Sequence, residues 1–473
     1  MVVGFGPRTR VVGMEGPDAV SDVATIWACI LEKSVVKTRR KGRILRIGGS
    51  RIEGVKIHSP RASKTWRMRE GLLGASYLYT MTDRLPFPTV EQVVAFCNES
   101  RGMALHSLRL KAGKDPLAPC LIDQVQVRRE MSERFGPLIE RAGYLFPSKS
   151  RLSQASSCAT AIWKAAELCK TLRKAPRIWD ATGGSGVDTW AFEMAGARTL
   201  VTEPDPYLAD LHRHNASILG TDRIVMTAAS EGIIPPVPVD AIYVDPSRMD
   251  AAGNRVYHPA NCQPNPLQEM PHWLSQAPWV WLKLSPMVDP DEALRWFPST
   301  HRLFTVSVQR EVKEVLLAVG RAPAQRPERW AIDLDPQGSV HYALALDQDA
   351  TAPPLSAPRA YLYDADAAVV AGRGLPTVAT QYSLAQLHPQ SRLLTSDALH
   401  LDFPGRVFAV DAIHPPYQGT WPLGASVVVR GYPDTADRIR KRLRLPENAE
   451  HYLLATVWGD KELGFIAARR LWA

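Results

Sequence analysis

The sequence predicts an α/β fold, with a mostly parallel sheet, helices on both faces and one antiparallel strand near the edge. Two observations carry this. From Pro176 onward, short apolar runs alternate with helical stretches, as a sheet built from crossover units requires. The last two apolar runs are joined too tightly for a helical crossover, so one of them must run antiparallel.

Each element follows from its local pattern. "RIWD" is the first strand and "VDTWAFEMAGA" the helix after it. "RTLVTE" is the second strand, and "DPYLADLHRHNASILG" is a helix closed by Gly220, a residue type that ends helices in the left-handed conformation. "RIVMTA", "VDAIYVD" and "WVWLKLS" are the third to fifth strands, with a helix over 264–276 and a short one in "DPDEALRWF". "RLFTVSV" and "KEVLLAVG" close the sheet, and "RWAIDLDPQGSVHYALALD" reads as a hairpin turning at Asp335–Gly338. Upstream, residues 81–174 read as a helical region opening with Thr89 as N-cap. Downstream, the linker "QDATAPPLSAPRA" leads to a small α+β unit over 361–473 that contains the basic helix "DTADRIRKRLRL".

Charge is unevenly placed. Residues 1–80 hold 15 Lys/Arg and 6 Asp/Glu, which accounts for the whole formal net charge of +9. The rest of the chain is balanced, so it is not a nucleic-acid binder by net charge. The Arg-rich stretch reads as a basic arm, a disordered extension, or the product of a start assigned too early, with Met81 as first residue. The last two are preferred. The six cysteines are far apart with no C-x-x-C pair, which argues against a zinc ribbon or a disulfide framework and for reduced thiols in a cytoplasmic protein. No apolar run approaches the ~18 residues of a membrane span. Neither a membrane nor a metal partner is expected.

The chemistry concentrates at two strand ends. "DATGGSGVD" follows the first strand, and glycines there let a ligand approach the backbone. The dinucleotide fingerprint fits poorly, because Thr189 takes the third glycine's place. Asp180 stands just before the loop, where a carboxylate repels a pyrophosphate and attracts the α-ammonium of S-adenosylmethionine. Glu203 ends the second strand, placed to accept hydrogen bonds from both ribose hydroxyls. Asp188 reads as an acid favoured by the helix dipole.

The second strand end is "VDPSRMD". The Asp245 carboxylate and Pro246 carbonyl can accept the two N–H bonds of an exocyclic amine, aiming its lone pair at a methyl group. Where a stacking ring would be usual, the chain has Ser247 and Arg248, whose guanidinium can stack on a base or hold a phosphate. Asp-Pro is also a common turn opener, with Arg248 then paired to Asp245 or Asp250. Lys283, Ser285 and Pro286, ending the fifth strand, read as weaker candidates that shape the pocket.

Five segments in order, "DATGGSGVDTWAF", "VTEPDPYLADLHRHNASILG", "IYVDPSRMDAAGNRVY", "WLKLSPMVD" and "SVQREVKEVLLAV", resemble class I S-adenosylmethionine-dependent methyltransferases of the bacterial group with a THUMP-like C-terminal domain. The resemblance covers roughly Met81 to the C-terminus. It implies a Rossmann-like class I methyltransferase domain over 175–348, a THUMP-like domain over 361–473, and a cofactor site at Asp180, Gly183, Gly184, Gly186 and Glu203. The strand end read above puts the acceptor at Asp245, Pro246, Ser247 and Arg248, and the resemblance by analogy makes RNA, tRNA above all, the substrate. The chain departs from the group's pattern at Ser185, where an aromatic residue is usual, and at Met249, where a second basic residue is usual. Two alternatives stay open: a methyltransferase for a small molecule or protein, and an RNA-interaction protein that binds the cofactor without catalysis.

Overall fold

The computed structural model describes residues 44–47, 50–53, 87–248 except 114 and 173, and 256–472 except 420, 422 and 423. The chain forms two compact units, Met1–Arg84 and Leu85–Ala473. In the first, β1 (Ile44–Ile47) and β2 (Ser50–Glu53) pair antiparallel. The rest of the basic stretch lies outside the described residues.

The second unit opens with helices. Helix α1 (Val90–Glu99) starts at Thr89, whose hydroxyl accepts the Gln92 N–H while the Gln92 side chain accepts the Thr89 N–H, a reciprocal cap that satisfies two orphan donors. Helices α2 (Leu105–Ala112), α3 (Ala118–Glu130), α4 (Ser132–Ile139), α5 (Lys149–Leu152) and α6 (Cys158–Lys170) follow. Gln124 of α3 and Asn215, further along the chain, tie this region down through the backbone of Leu145 and Phe146.

The large sheet contains β3 (Arg177–Asp180), β4 (Arg198–Thr202), β5 (Ile224–Met226), β6 (Ala241–Val244), β7 (Trp279–Leu284), β8 (Thr300–Val308), β9 (Glu311–Gly320), β10 (Glu328–Leu334) and β11 (Val340–Ala345). Their order in space is β11-β10-β8-β9-β7-β6-β3-β4-β5. Strands β5, β4, β3, β6 and β7 are parallel, and β9 inserts antiparallel between β7 and β8, as the tight β8–β9 connection requires. The hairpin at Asp335–Gly338 forms as the sequence indicates, but it is not an appendage. β10 runs parallel to β8, so the hairpin extends the main sheet to nine strands.

Helices α7 (Val187–Met194), α8 (Pro206–Leu219), α9 (Pro266–Gln276) and α10 (Pro290–Trp296) link the strands. The strands are buried on both faces, which is why they read as continuous apolar runs rather than alternating ones. One face packs with α6 and α7 through Trp163, Trp190, Phe192 and Phe304, and the other with α9 and α10 through Trp273, Ala293 and Phe297. A second sheet, of order β13-β14-β12-β15-β18-β17-β16, holds β12 (Tyr361–Ala365), β13 (Ala385–Gln386), β14 (Leu393–Ser396), β15 (Gly405–His414), β16 (Ser426–Arg430), β17 (His451–Trp458) and β18 (Glu462–Trp472). With α11 (Ala367–Ala371), α12 (Leu375–Gln381) and α13 (Ala436–Leu443) it makes an α+β layer. The two sheets share a hydrophobic cluster in which Ala331 and Leu346 meet Tyr363, Ala368 and Val407. Among the described residues no helix is long and apolar enough to cross a membrane.

Candidate functional site

The parallel strands β3, β4 and β6 end at one edge of the sheet, and the sequence places Asp180, Glu203 and Asp245 at or just past those ends. Between β3 and α7 the chain turns on glycines. The Gly183 N–H donates to Thr202 O at 3.0 Å, pinning the loop to β4. A Cβ on Gly183 would lie 2.5 Å from Val201 Cγ1 and 2.8 Å from His212 Nε2, so no larger residue fits. Gly184 has φ +51°, a conformation glycine adopts at little cost. Its outer side is open, since the nearest atom a Cβ would meet is Thr182 O at 3.6 Å.

A cavity of about 630 Å³ lies over this loop. Gly183, Gly184, Asp188 and Glu203 line one side and Asp245, Pro246, Ser247 and Arg248 another, with Ser230 and Glu231 beyond β5. Seven of the nine residues singled out from the sequence therefore meet around one space. Glu203 is nearly buried, and its Oε2 and Oε1 accept the backbone N–H groups of Gly184 (2.7 Å) and Asp205 (2.9 Å). Burial raises its carboxyl above the ordinary value. Those two bonds fix its orientation and leave lone pairs over for a ligand's hydroxyls.

Asp180 and Gly186 are placed differently from the other seven. Gly186, at φ +80°, caps α7 and does not line the cavity. Asp180 is 1% exposed and lies beneath the loop. Its Oδ1 accepts the Thr182 N–H at 3.1 Å and its Oδ2 the Thr189 hydroxyl at 2.5 Å. Both oxygens are thus taken by the chain itself, where the sequence reading has them meeting an α-ammonium. Burial pushes this carboxyl up to about 7.

A ferredoxin-like domain family matches residues 361–404. No curated protein matches the sequence. Among solved structures, a protein from Porphyromonas gingivalis W83, provisionally named a methyltransferase, is 23% identical over 81% of this chain and 100% of its own, with a TM-score of 0.69. The chain has the class I methyltransferase fold. A provisionally named class I S-adenosylmethionine-dependent methyltransferase from Listeria monocytogenes is 9% identical, covers 50% of this chain and 75% of its own, and has a TM-score of 0.30. A provisionally named RNA methyltransferase from Pyrococcus horikoshii is 16% identical over 36% of this chain and 80% of its own, with a TM-score of 0.26. Both superpose too loosely to bear on the fold or the site.

In this class I methyltransferase fold the carboxylate just past β6 does not stand alone. Asp245 Oδ2 accepts from Lys283 Nζ at 2.7 Å, and the Asp245 N–H donates to Thr182 Oγ1 at 2.7 Å, joining β6 to the glycine loop. Lys283 also donates to Ser156 Oγ at 3.1 Å. Ser156 Oγ accepts from Lys164 Nζ at 3.1 Å and donates to Asp188 Oδ2 at 2.9 Å. Lys164, with no exposed surface, pairs with Asp188 at 3.0 Å and with Glu314 at 3.2 Å. Burial works against its charge, but Asp188 and Glu314 more than offset this and raise its pKa above the ordinary lysine value. Burial would also raise Asp188, yet Lys164 and Lys283 hold it below the ordinary carboxylate value. Two lysines and three carboxylates therefore share one network beneath the cavity-side end of β6. Asp188 is not merely a helix-terminal acid, and Lys283 does more than shape the pocket.

The pairing of Asp245 with Lys283 bears on the turn-opener reading. Among the described residues, Arg248 has no ion pair with Asp245, and Asp250 lies outside them. Ser247 and Gln263 exchange two backbone hydrogen bonds, 2.7 and 3.1 Å, which hold the start of the Ser247–Arg248 segment against the strand end. The sequence reading passed over Ser156, Lys164 and Glu314. One signal was available: Lys164 in "AIWKAAEL", Lys283 in "WVWLKLS" and Glu314 in "KEVLLAV" are charges inside apolar runs, where a residue is buried and needs a partner.

Proposed function

We propose that this chain transfers a methyl group from S-adenosylmethionine to an amino nitrogen of an RNA base, tRNA first among RNAs. The observation that carries the reading is a single cavity over the glycine loop that joins Glu203 on one side to Asp245 and Pro246 on the other. Its lining favours a cationic ligand over a pyrophosphate. Asp188, Glu203, Asp205, Glu231 and Asp245 outnumber Arg151 and Arg248, and Arg151 is itself paired with Asp205. The open Gly184 backbone suits close approach of the amino-acid part, and Glu203 would hold the ribose hydroxyls.

The bound cofactor supplies an electrophilic methyl on a sulfonium. Held by Glu203 and the glycine loop, it would give that methyl to the acceptor nitrogen's lone pair while sulfur keeps the electrons of its bond to the methyl, and the nitrogen's proton would pass to solvent. Asp245 and Pro246 orient the incoming amine, since one Asp245 oxygen is held by Lys283 and the other has no hydrogen-bond partner among the described residues. Proximity and alignment supply most of the acceleration in such a step. Three features support RNA as the acceptor: the resemblance to the THUMP-like group, the ferredoxin-like match in the C-terminal layer, and the Arg248 guanidinium where a stacking ring would be usual. The described cysteines are free thiols, in keeping with a reducing cytoplasm.

The test is transfer of labelled methyl from S-adenosylmethionine to RNA taken from a strain lacking this protein. Wild type should label it and Asp245→Ala should not, while calorimetry shows the variant still binding cofactor. Glu203→Ala should weaken cofactor binding by roughly tenfold to a hundredfold, the worth of a charge-assisted hydrogen bond. Absence of label in every RNA fraction would overturn the RNA assignment.

A further inference from the structure

A second cavity, of about 600 Å³, lies against the first. The two share a wall made of Gln154, Ala155 and Arg248. Asp245 lines the first, Lys283 lines the second, and the 2.7 Å ion pair between them stands where the spaces meet. We infer that this second cavity is the acceptor site, and that it takes a nucleotide-sized acceptor carrying an anionic group and a neutral N–H donor. The inference rests on the methyl-transfer reading and names the chemistry of the acceptor.

Size comes first. The volume falls in the range of sites that hold a small ligand, about 300–1,000 Å³, and exceeds what one amino-acid side chain needs. Charge is the second argument. Arg248 has no ion-pair partner among the described residues, and it stands with Lys283 at the junction of the two spaces. Lys283 is paired with Asp245, so the Arg248 guanidinium is the cation left to draw a phosphate there. An unused acceptor is the third. One Asp245 oxygen is held by Lys283 and the other has no hydrogen-bond partner among the described residues, so it can accept an N–H donor from a ligand at the junction. A base amine beside a phosphate answers all three observations. A nucleotide extruded from RNA and a free nucleotide share that chemistry.

Plugging the rim separates this inference from the function on which it rests. Gln309 and Gln337 line the second cavity but not the first, and both are exposed on turns. Gln309→Trp and Gln337→Trp should bind S-adenosylmethionine as wild type does in calorimetry. At least one of them should lose methyl transfer by roughly tenfold or more, since the acceptor can no longer seat. With S-adenosylhomocysteine saturating, one of the four nucleoside 5′-monophosphates should bind wild type, and Arg248→Ala should weaken it by roughly tenfold to a hundredfold, with Arg248→Lys partly restoring it. Full activity of both tryptophan variants would show that the acceptor sits elsewhere, leaving the methyltransferase reading intact. Failure of wild type to bind S-adenosylmethionine would remove that reading first. Labelling of RNA without labelling of free nucleotides assigns the acceptor to RNA, and the reverse assigns it to the free pool. Labelling of protein alone refutes the inference.

Discussion

Asp180 and His212 are both buried beside the glycine loop and pull stability in opposite directions with pH. Burial pushes Asp180 from an ordinary 3.8 up to about 7. Between those values the unfolded chain has lost the proton that the folded one keeps, so this contribution is full at low pH and is lost as pH rises through 7. Burial takes His212 from 6.5 down to about 3. Between those values only the unfolded chain holds the proton, so stability from His212 falls as the pH drops from 6.5 toward 3. The two terms offset each other from about pH 4 to 6.5. Asp180→Asn removes one of them, so melting experiments should show its temperature, relative to wild type, climbing from pH 4 to pH 7. A constant difference would mean that Asp180 ionises normally. Lys283→Met is expected to cost of order 3 kcal/mol, because it strips a buried cation from Asp245 and leaves Lys164 alone against three carboxylates. Urea titration measures this, and a loss under 1 kcal/mol would mean the network is solvated.

At the scale of the element, the strand–loop–helix unit from β3 to α7 is held by close backbone approach rather than by side chains. Gly183→Ala places a methyl group against Val201 and His212, and overpacking of this kind costs about 1–3 kcal/mol. Because the loop must shift to make room, cofactor affinity should drop together with stability. Denaturant titration and calorimetry on the same variant would show whether the two losses travel together. The unit was legible from "DATGGSGVD", because glycine between a strand and a helix says that backbone must approach something. What it approaches was not legible: His212 is 29 residues further on, in α8, and only the parallel pairing of β3 with β4 brings that helix against the loop.

Across the whole molecule, the hairpin β10–β11 joins the two sheets. It extends the first through β8 and packs Ala331 and Leu346 against Tyr363 and Ala368 of the second layer. At the same junction Arg310 reaches Asp364, which is 2% exposed and is also held by Arg406 (2.6 Å) and Arg430 (2.8 Å). A shared core and a shared buried carboxylate couple the layers, so Leu85–Ala473 should unfold in one cooperative transition seen alike by far-ultraviolet circular dichroism and tryptophan fluorescence. Asp364→Asn should lower the midpoint of both signals together. Two separate transitions would show that the layers unfold independently.

The sequence by itself determined the order of strands and helices, that one of two tightly joined strands runs antiparallel, and seven of the nine residues expected at the site. Each of these follows from local periodicity, turn chemistry or the connection length between neighbours. Tertiary structure alone decided that the later hairpin joins the main sheet, that Asp180 faces its own loop, and that Lys164, Lys283 and Glu314 pool their charge with Asp188 and Asp245. Those outcomes depend on groups far apart in the chain. A buried charge announces that it needs a partner, but only packing chooses which.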